Sequence, residues 1–344
     1  MKVCFIAPKT INMVSGGPLT QILNTSDSLK SLGVEISFFN QWDKFDNQNY
    51  DLYHVFVGTM LNYDITQRLK QFNKKFVVSS IFFTKRSPIF IRSVIKIEDF
   101  INKFYSGIRT DYGIIKQVCE SSNHVLPNTN AEANLIQRGL KISADKITVI
   151  TNGVDSKFLH STPDLFVKTY GVKDFILNVG HLGSKRKNVL SLIRAVKDLN
   201  VPTVIIGKIH NNDYGNKCLY EASLNKNILI IPGLENDSEM LASAYSACKI
   251  FALPSLFETP GIAALEAAIS GANIVITKFG GTFEYFKENA IYINPYNVES
   301  IRDGIIRSFN TPSNSSLTNH IKNNFLWSKV GELTLNVYDK VINS

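Results

Sequence analysis

Pro254-Ser255-Leu256-Phe257-Glu258-Thr259-Pro260-Gly261-Ile262-Ala263-Ala264-Leu265-Glu266-Ala267-Ala268 puts an apolar strand end, a carboxylate, a Pro-Gly turn, a helix start and a second carboxylate in immediate succession. A helix starting near Gly261 offers free backbone N–H groups and the positive end of its dipole, which together make an anion site. Pro260 suits the first turn, where no amide donor is lost, and Gly261 lets a ligand approach the backbone closely. Were the intervening residues fully helical, Glu258 and Glu266 would stand roughly 12 Å apart along the axis, about the reach of a sugar diphosphonucleoside. One carboxylate could then hold sugar hydroxyls and the other ribose hydroxyls, with the diphosphate on the helix start between them. The plainer alternative makes Glu258 a helix cap and Glu266 a surface charge. Against it, Glu266 sits among Leu265, Ala267, Ala268 and Ile269, the surroundings of a buried helix, where a carboxylate needs a partner.

Outward from this stretch, short apolar runs alternate with longer amphipathic ones, which argues for parallel sheets in an α/β architecture. In the first half, strands are expected at 3–7, 34–39, 52–57, 76–80, 124–127 and 147–150, with a crossover helix from Pro18 to Leu32 that Gly33 stops. In the second half they are expected at 175–179, 203–206, 228–231, 250–253, 273–276 and 290–293, with helices at 191–199, 239–247 and 261–270. The pattern breaks near 155–172, where Pro163 and polar residues intervene. The expectation is two doubly wound, Rossmann-like domains facing a cleft, residues 1–160 and 161–325. Residues 326–344 form a C-terminal helix free to pack back on the first domain. Ligands in such sheets bind at the carboxyl ends of the strands, so the loops that follow strands should carry the chemistry.

At 344 residues, with 44% hydrophobic and 19% charged side chains, the chain has the composition of a soluble globular protein. Charged or polar residues interrupt every apolar run before it reaches membrane-spanning length. The start, Met1-Lys2-Val3-Cys4-Phe5-Ile6-Ala7-Pro8, is too soon broken for a signal peptide and reads as a first buried strand. Cys4, Cys119, Cys218 and Cys248 are scattered and form neither a metal-ligand pair nor a disulfide framework, which suits a reducing cytoplasm. No Asp-x-Asp pair, His-x-x-x-His or cysteine cluster supplies a metal site, and no serine or cysteine nucleophile signature occurs. The net charge of +8 is uneven: eleven bases lie between Arg68 and Lys116 against Glu98, Asp99 and Asp111. Phe82, Phe83, Ile89, Phe90, Ile91, Ile95, Phe100, Phe104 and Tyr105 are interleaved with them. Such a segment suits an anionic membrane surface or a large anionic acceptor, and it could also suit nucleic acid. A solvated basic face over an ordinary core is the plainer alternative.

Three further loops follow expected strands. Ser15-Gly16-Gly17-Pro18 joins the first strand to the first helix, and its glycines let the backbone approach a bound ligand. A plain turn is the alternative, and the three spaced glycines of the dinucleotide fingerprint are missing. Asn178-Val179-Gly180-His181-Leu182-Gly183-Ser184-Lys185-Arg186-Lys187-Asn188 joins the first strand of the second half to its helix. Its three consecutive bases can neutralise a diphosphate leaving group, whose charge grows as a glycosidic bond breaks. Gly280-Gly281-Thr282-Phe283-Glu284 either lines the same cleft or simply starts a helix, and Asn152-Gly153-Val154-Asp155 reads as a turn toward the domain hinge. His54, within an apolar run, reads as a buried, hydrogen-bonded histidine, with a cleft position as the alternative.

In this order the pieces resemble the retaining glycosyltransferases of the GT-B fold, in particular the large family numbered four. The resemblance covers nearly the whole chain. It rests on the Gly16-Gly17 loop, the Val149-Ile150-Thr151-Asn152-Gly153-Val154-Asp155 turn and the Lys187-Asn188 loop. The Pro254-Ser255…Glu258…Glu266 element with its Glu-x7-Glu spacing and the Gly280-Gly281…Glu284 turn complete it. It implies a nucleotide-sugar donor held mainly by the C-terminal domain, an acceptor held mainly by the N-terminal one, and transfer with retention and without a metal. No cofactor is implied, a UDP- or GDP-hexose being the substrate. On that analogy Glu258 meets the donor sugar hydroxyls and Glu266 the ribose. The backbone of Gly261 and Ile262 holds the diphosphate with Lys187, and Gly17 closes on it from the opposite domain. The implied catalytic residues are Glu258, Lys187 and Arg186. The implied donor-binding residues are Gly16, Gly17, His181, Thr259, Pro260, Gly261, Ile262 and Glu266.

Two departures stand out. The family commonly carries arginine right after the glycine of its first C-terminal strand, where this chain has His181, so either Arg186 or Lys185 supplies that charge or the leaving group is less well stabilised. It also often places a histidine after a central N-terminal strand, and Val77-Val78-Ser79-Ser80-Ile81-Phe82-Phe83 has none. The implied role is a cytoplasmic hexosyltransferase of surface polysaccharide or glycolipid assembly with a glycan or lipid-linked acceptor. It would touch the inner face of the membrane through 68–116 and bind no nucleic acid. A nucleotide-sugar epimerase or phosphorylase on the same fold is the competing enzyme, and an epimerase would change the donor without an acceptor. A basic nucleic-acid-binding protein is the non-enzymatic alternative, and the carboxylates of the expected cleft argue against it.

Overall fold

Two parallel sheets, one in each of two units, account for the alternating pattern. The structure, a computed structural model, describes residues 1–13, 16–44, 49–313 and 315–344, so Ser15 of the first glycine loop lies outside the described residues. The first unit comprises Met1–Gly153 with Trp327–Ser344, and the second comprises Val154–Leu326. The division falls before position 160 because Val154 already belongs to the second unit, where its N–H donates to the Phe325 carbonyl at 2.7 Å. Phe158 and Phe166 are buried in that unit's core.

In the first unit, β1 (Lys2–Ile6), β2 (Glu35–Phe38), β3 (Leu52–Phe56), β4 (Phe76–Ser79) and β5 (His124–Val125) are ordered β2-β1-β3-β4-β5. All pairs are parallel. β3 and β4 are buried along their whole length, as strands covered on both faces must be, and their sequences are correspondingly apolar without alternation. The strand expected at 147–150 does not form. Ile147 makes one isolated bridge to Val125, and the N–H groups of Thr148 and Ile150 reach the carbonyls of Val125 and Pro127. β5 is itself only two residues long, so it offers the segment no longer ladder to join. The helix Trp327–Asn343 packs on the helix Gly17–Ser31, with Ser28 Oγ donating to the Trp327 carbonyl at 2.7 Å. His54 fastens the same helix to the sheet: Nδ1 lies 2.5 Å from the Tyr338 hydroxyl and Nε2 2.8 Å from Ser79 Oγ. Burial lowers its pKa to about 3, so it is a neutral structural link.

In the second unit, β6 (Phe175–Val179), β7 (Thr203–Ile206), β8 (Ile228–Ile231), β9 (Cys248–Leu253), β10 (Asn273–Thr277) and β11 (Ile291–Ile293) are ordered β11-β10-β9-β6-β7-β8. Aromatic residues such as Phe166, Phe175, Tyr245, Phe251 and Tyr285 fill one face, and Ile176, Leu192, Ile250, Val275, Ile301 and Ile305 the other. The winding changes direction between β6 and β9, and in the first unit between β1 and β3. At such a switch point, neighbouring loops leave the sheet on opposite sides and open a crevice past the strands' carboxyl ends. The helix expected at 191–199 runs from Val189 to Ala195, because Asn188 takes a left-handed turn (φ 56°) immediately before it. Among the described residues no helix is long and apolar enough to cross a membrane.

Candidate active site

β10, β9 and β6 are neighbours, and the loops that follow them are fastened to one another. The Leu256 N–H donates to the Arg186 carbonyl at 2.8 Å. The buried amide of Asn188 donates to the carbonyls of Pro254 (3.0 Å) and Pro295 (2.8 Å). On the other side, the Glu258 N–H donates to the Phe279 carbonyl at 3.1 Å, and the Gly281 N–H returns to the Glu258 carbonyl at 2.9 Å. Gly280 must be glycine here: its φ is +102°, and a Cβ would stand 1.9 Å from the Glu258 carbonyl oxygen. The loop 280–284 therefore both starts a helix, Thr282–Phe286, and backs the residue that carries the first carboxylate.

The helix of the opening stretch runs from Ile262 to Ile269, with Gly261 in the capping position at φ 84° and no side chain capping it. Gly261 has its own reason to lack a side chain, since a Cβ would meet Leu253 Cδ2 at 2.9 Å. Its carbonyl accepts from the N–H groups of Ala264 and Leu265, so those of Ile262 and Ala263 point out of the helix start without an intrahelical partner. Two expectations are corrected. Pro260 lies ahead of the cap, joined to Thr259 by a cis bond, and is not in the first turn. The chain between Glu258 and Glu266 is helical only from Ile262 onward, so an axial spacing for eight helical residues does not apply.

Glu258 and Glu266 are 6% and 2% exposed, so Glu266 is not the surface charge of the plainer alternative, and Glu258 is not its helix cap, since no side chain caps the helix start. Their electrostatics are opposite. Burial alone would raise the pKa of Glu258, but the charges of Lys187 and Arg186 and a hydrogen bond from Lys187 outweigh it and hold the carboxyl below its ordinary range. One oxygen, Oε1, takes both cations, with Lys187 Nζ at 2.7 Å and an Arg186 guanidinium nitrogen at 3.2 Å. Arg186 also donates to the Phe257 carbonyl at 3.3 Å and lies over the Phe257 ring. Among the described residues no cation stands at ion-pair distance from Glu266. Burial dominates and pushes its pKa up to about 7, against hydrogen bonds from Tyr245 (2.8 Å) and Asn236.

The structure thus brings together Glu258, Lys187, Arg186, Thr259, Pro260, Gly261 and Ile262. Glu266 lies one helical turn further in. Of the three consecutive bases, Arg186 and Lys187 face Glu258, while Lys185 is exposed to solvent. His181 is half-buried just past β6, its ring 5.4 Å from that of His210. Gly16 and Gly17 belong to the first unit, where they follow β1 at that sheet's switch point and Gly17 opens a helix. Sequence reasoning missed Asn236 and Tyr245, the partners of Glu266. It also missed a run of glycines just beyond β6, β7 and β8. A Cβ on Gly207 would stand 2.0 Å from the Gly180 carbonyl oxygen, and one on Gly233 would stand 3.1 Å from Lys208. The signal was a glycine recurring one or two residues after three successive apolar runs. Among the described residues, no three His, Cys, Asp or Glu side chains gather as a cation site.

The chain is similar in sequence and fold to known proteins. Residues 167–325 match the family described as Glycosyl transferases group 1. An uncharacterized glycosyltransferase of Methanocaldococcus jannaschii is 29% identical over 56% of this chain and 54% of its own length. An MMP alpha-(1->4)-mannosyltransferase of Mycolicibacterium hassiacum is 26% identical over 68% of this chain and 59% of its own. The chain thus spans little more than half the length of these relatives. Among solved structures, a sucrose-phosphate synthase from Thermosynechococcus elongatus superposes with a TM-score of 0.80 at 15% identity, covering 99% of both chains. Anabaena HepE in complex with UDP and glucose does so with a TM-score of 0.70 at 16% identity, covering 99% of this chain and 100% of its own. By fold the chain resembles the GT-B glycosyltransferases, two Rossmann-like units in succession, and residues 167–325 carry the similarity to glycosyl transferases group 1.

Proposed function

We propose that this chain is a retaining glycosyltransferase, which moves a hexose from a nucleotide-diphosphate sugar to a glycan or lipid-linked acceptor in cell-surface polysaccharide or glycolipid assembly. The observation that carries the reading is the Lys187–Glu258–Arg186 cluster beside an uncapped helix start. At rest Glu258 occupies both cations. A donor diphosphate arriving at the Ile262 end exchanges with it: the phosphates take Lys187, Arg186 and the free amides, and Glu258 turns to the hydroxyls of the sugar. The cations then face the group that gains negative charge as the glycosidic bond breaks, where fixed positive charge accelerates the reaction most. Glu266, one helical turn further along, and the exposed Asn236 that hydrogen-bonds it receive the ribose.

The match to glycosyl transferases group 1 supports a nucleotide-sugar donor, and the UDP and glucose named with Anabaena HepE agree with it. The mannosyltransferase among the relatives supports a hexose. Catalysis on this reading is positional and electrostatic, with no protein nucleophile and no step routed through a metal. The test is incubation with UDP-, GDP-, ADP- and TDP-hexoses, with and without lipid-linked or glycan acceptors, in the presence of EDTA. The product's anomeric configuration is then read by NMR. Acceptor-dependent release of nucleoside diphosphate with the donor's configuration kept supports the proposal. Inverted product, or a donor altered without any acceptor, contradicts it.

A further inference from the structure

The helix Pro88–Ile101 in the first unit is apolar on two opposite faces. One face is buried: Ile91 and Ile95 enter the core beside Ile115, Leu135 and Ile136, and the inward Glu98 is consumed by the N–H and hydroxyl of Thr110. The other face carries Ile89, Ser93, Ile97 and Phe100, spaced four, four and three residues apart, which keeps them on one stripe. Ile89, Ile97 and Phe100 are 68%, 59% and 61% exposed. Past the helix end the stripe continues: the Phe104 ring sits edge-on to that of Phe100 at 5.4 Å, and Tyr105 is 72% exposed. From Ile89 to Phe100 it is about 16 Å long, far more than scattered surface hydrophobics would give. Arg86, Arg92, Lys96 and Lys103 flank it, with Asp99 the acid exposed on the same helix. Arg86 lies over the Phe90 ring at 4.9 Å.

We infer that this stripe docks the first unit on an anionic lipid bilayer, the helix lying in the interface plane. Ile89, Ile97, Phe100 and Phe104 enter the acyl boundary, and the long basic side chains reach the headgroups. The charges select this occupant. A second copy seated on the same face would set the four bases against their own images. Nucleic acid would match the bases but has no use for an aliphatic stripe. This narrows the basic segment 68–116 to residues 86–105, and it stands independently of the donor site.

The test is sedimentation of the full chain with phosphatidylcholine vesicles, with and without phosphatidylglycerol. The wild-type chain is expected to sediment with the mixed vesicles and to stay in solution with phosphatidylcholine alone. The double variants I97E/F100E and K96E/K103E, checked by circular dichroism for intact folding, should partition more weakly, the charge pair by at least about thirtyfold. A tryptophan placed by Ile97→Trp should shift its emission to the blue on mixed vesicles only. No sedimentation of the wild-type chain, or sedimentation of both double variants equal to that of the wild-type chain, overturns the inference. So does a self-association that I97E/F100E abolishes without vesicle binding. None of these readouts involves sugar transfer, so failure here leaves the donor site standing.

Discussion

Gly280 in the second unit and Gly16 in the first both lie past the carboxyl end of a parallel strand, yet they answer to different demands. Gly280 is held at φ +102° against the Glu258 carbonyl, and any side chain there collides with backbone. Gly16 has extended backbone (φ 165°), and a Cβ on it would find nothing within 4 Å among the described residues. The second unit's glycine is required by the fold. No described contact requires the first unit's, so a ligand is the reason to be tested for it. One sequence signal, strand then glycine, thus has two physical causes, and only the coordinates separate them.

The largest expected effect falls on the charged cluster. Lys187→Ala and Glu258→Gln should each lower kcat/KM by about a hundredfold to a thousandfold while leaving the circular dichroism unchanged. Near-normal transfer by both would remove the second unit's claim to the chemistry. Gly280→Ala comes next, with an expected loss of roughly 3 kcal/mol or more in urea unfolding, because both the strained backbone and the contact with Glu258 must give way. A loss under about 1 kcal/mol would mean that this glycine is no more constrained than Gly16.

The two carboxylates sharpen the comparison inside the second unit. For Glu266 the folded pKa, about 7, exceeds the ordinary 4.5. Between those values the folded state holds the proton that the unfolded chain has lost. Stability from this group is therefore full below pH 4.5, falls as pH rises, and is gone above pH 7. The span is about 3 kcal/mol at most. Glu266→Gln should flatten that slope, leaving the variant more stable than the wild-type chain at pH 8 while donor binding weakens. Equal pH profiles for the two proteins would show that Glu266 ionises freely. Glu258 has the opposite sign: its stabilisation is present above the ordinary carboxylate pKa and is lost as pH falls through the lowered one. The smallest effect is expected at Gly16→Ala, within about 0.5 kcal/mol in stability. A drop in turnover without a drop in stability would identify the ligand as the reason for that glycine.

Much of the architecture was legible because buried parallel strands leave unbroken apolar runs such as LYHVF and FILNV. The segment 147–150 reads the same way, but a strand also needs a partner ladder, and the two residues of β5 do not provide one. Within the site, Glu258, Arg186 and Lys187 could be named from types and positions. That Asn188 would fasten one loop to Pro254 and Pro295 could not, since those contacts span 66 and 107 residues. The partners of Glu266 were hidden for the same reason: Tyr245 and Asn236 arrive from another helix and loop. The outward stripe of the helix Pro88–Ile101 was visible only as composition, because which apolar residues face the core depends on tertiary packing.

The central claim is that Lys187, Arg186 and the amides at Ile262 hold a diphosphate. Calorimetric titration of the four nucleoside diphosphates and their parent nucleosides into the wild-type chain and Lys187→Ala tests it most directly. One diphosphate should bind at least about tenfold more tightly than its nucleoside, and Lys187→Ala should erase that advantage. Equal binding of diphosphate and nucleoside, or an advantage untouched by Lys187→Ala, would contradict the account.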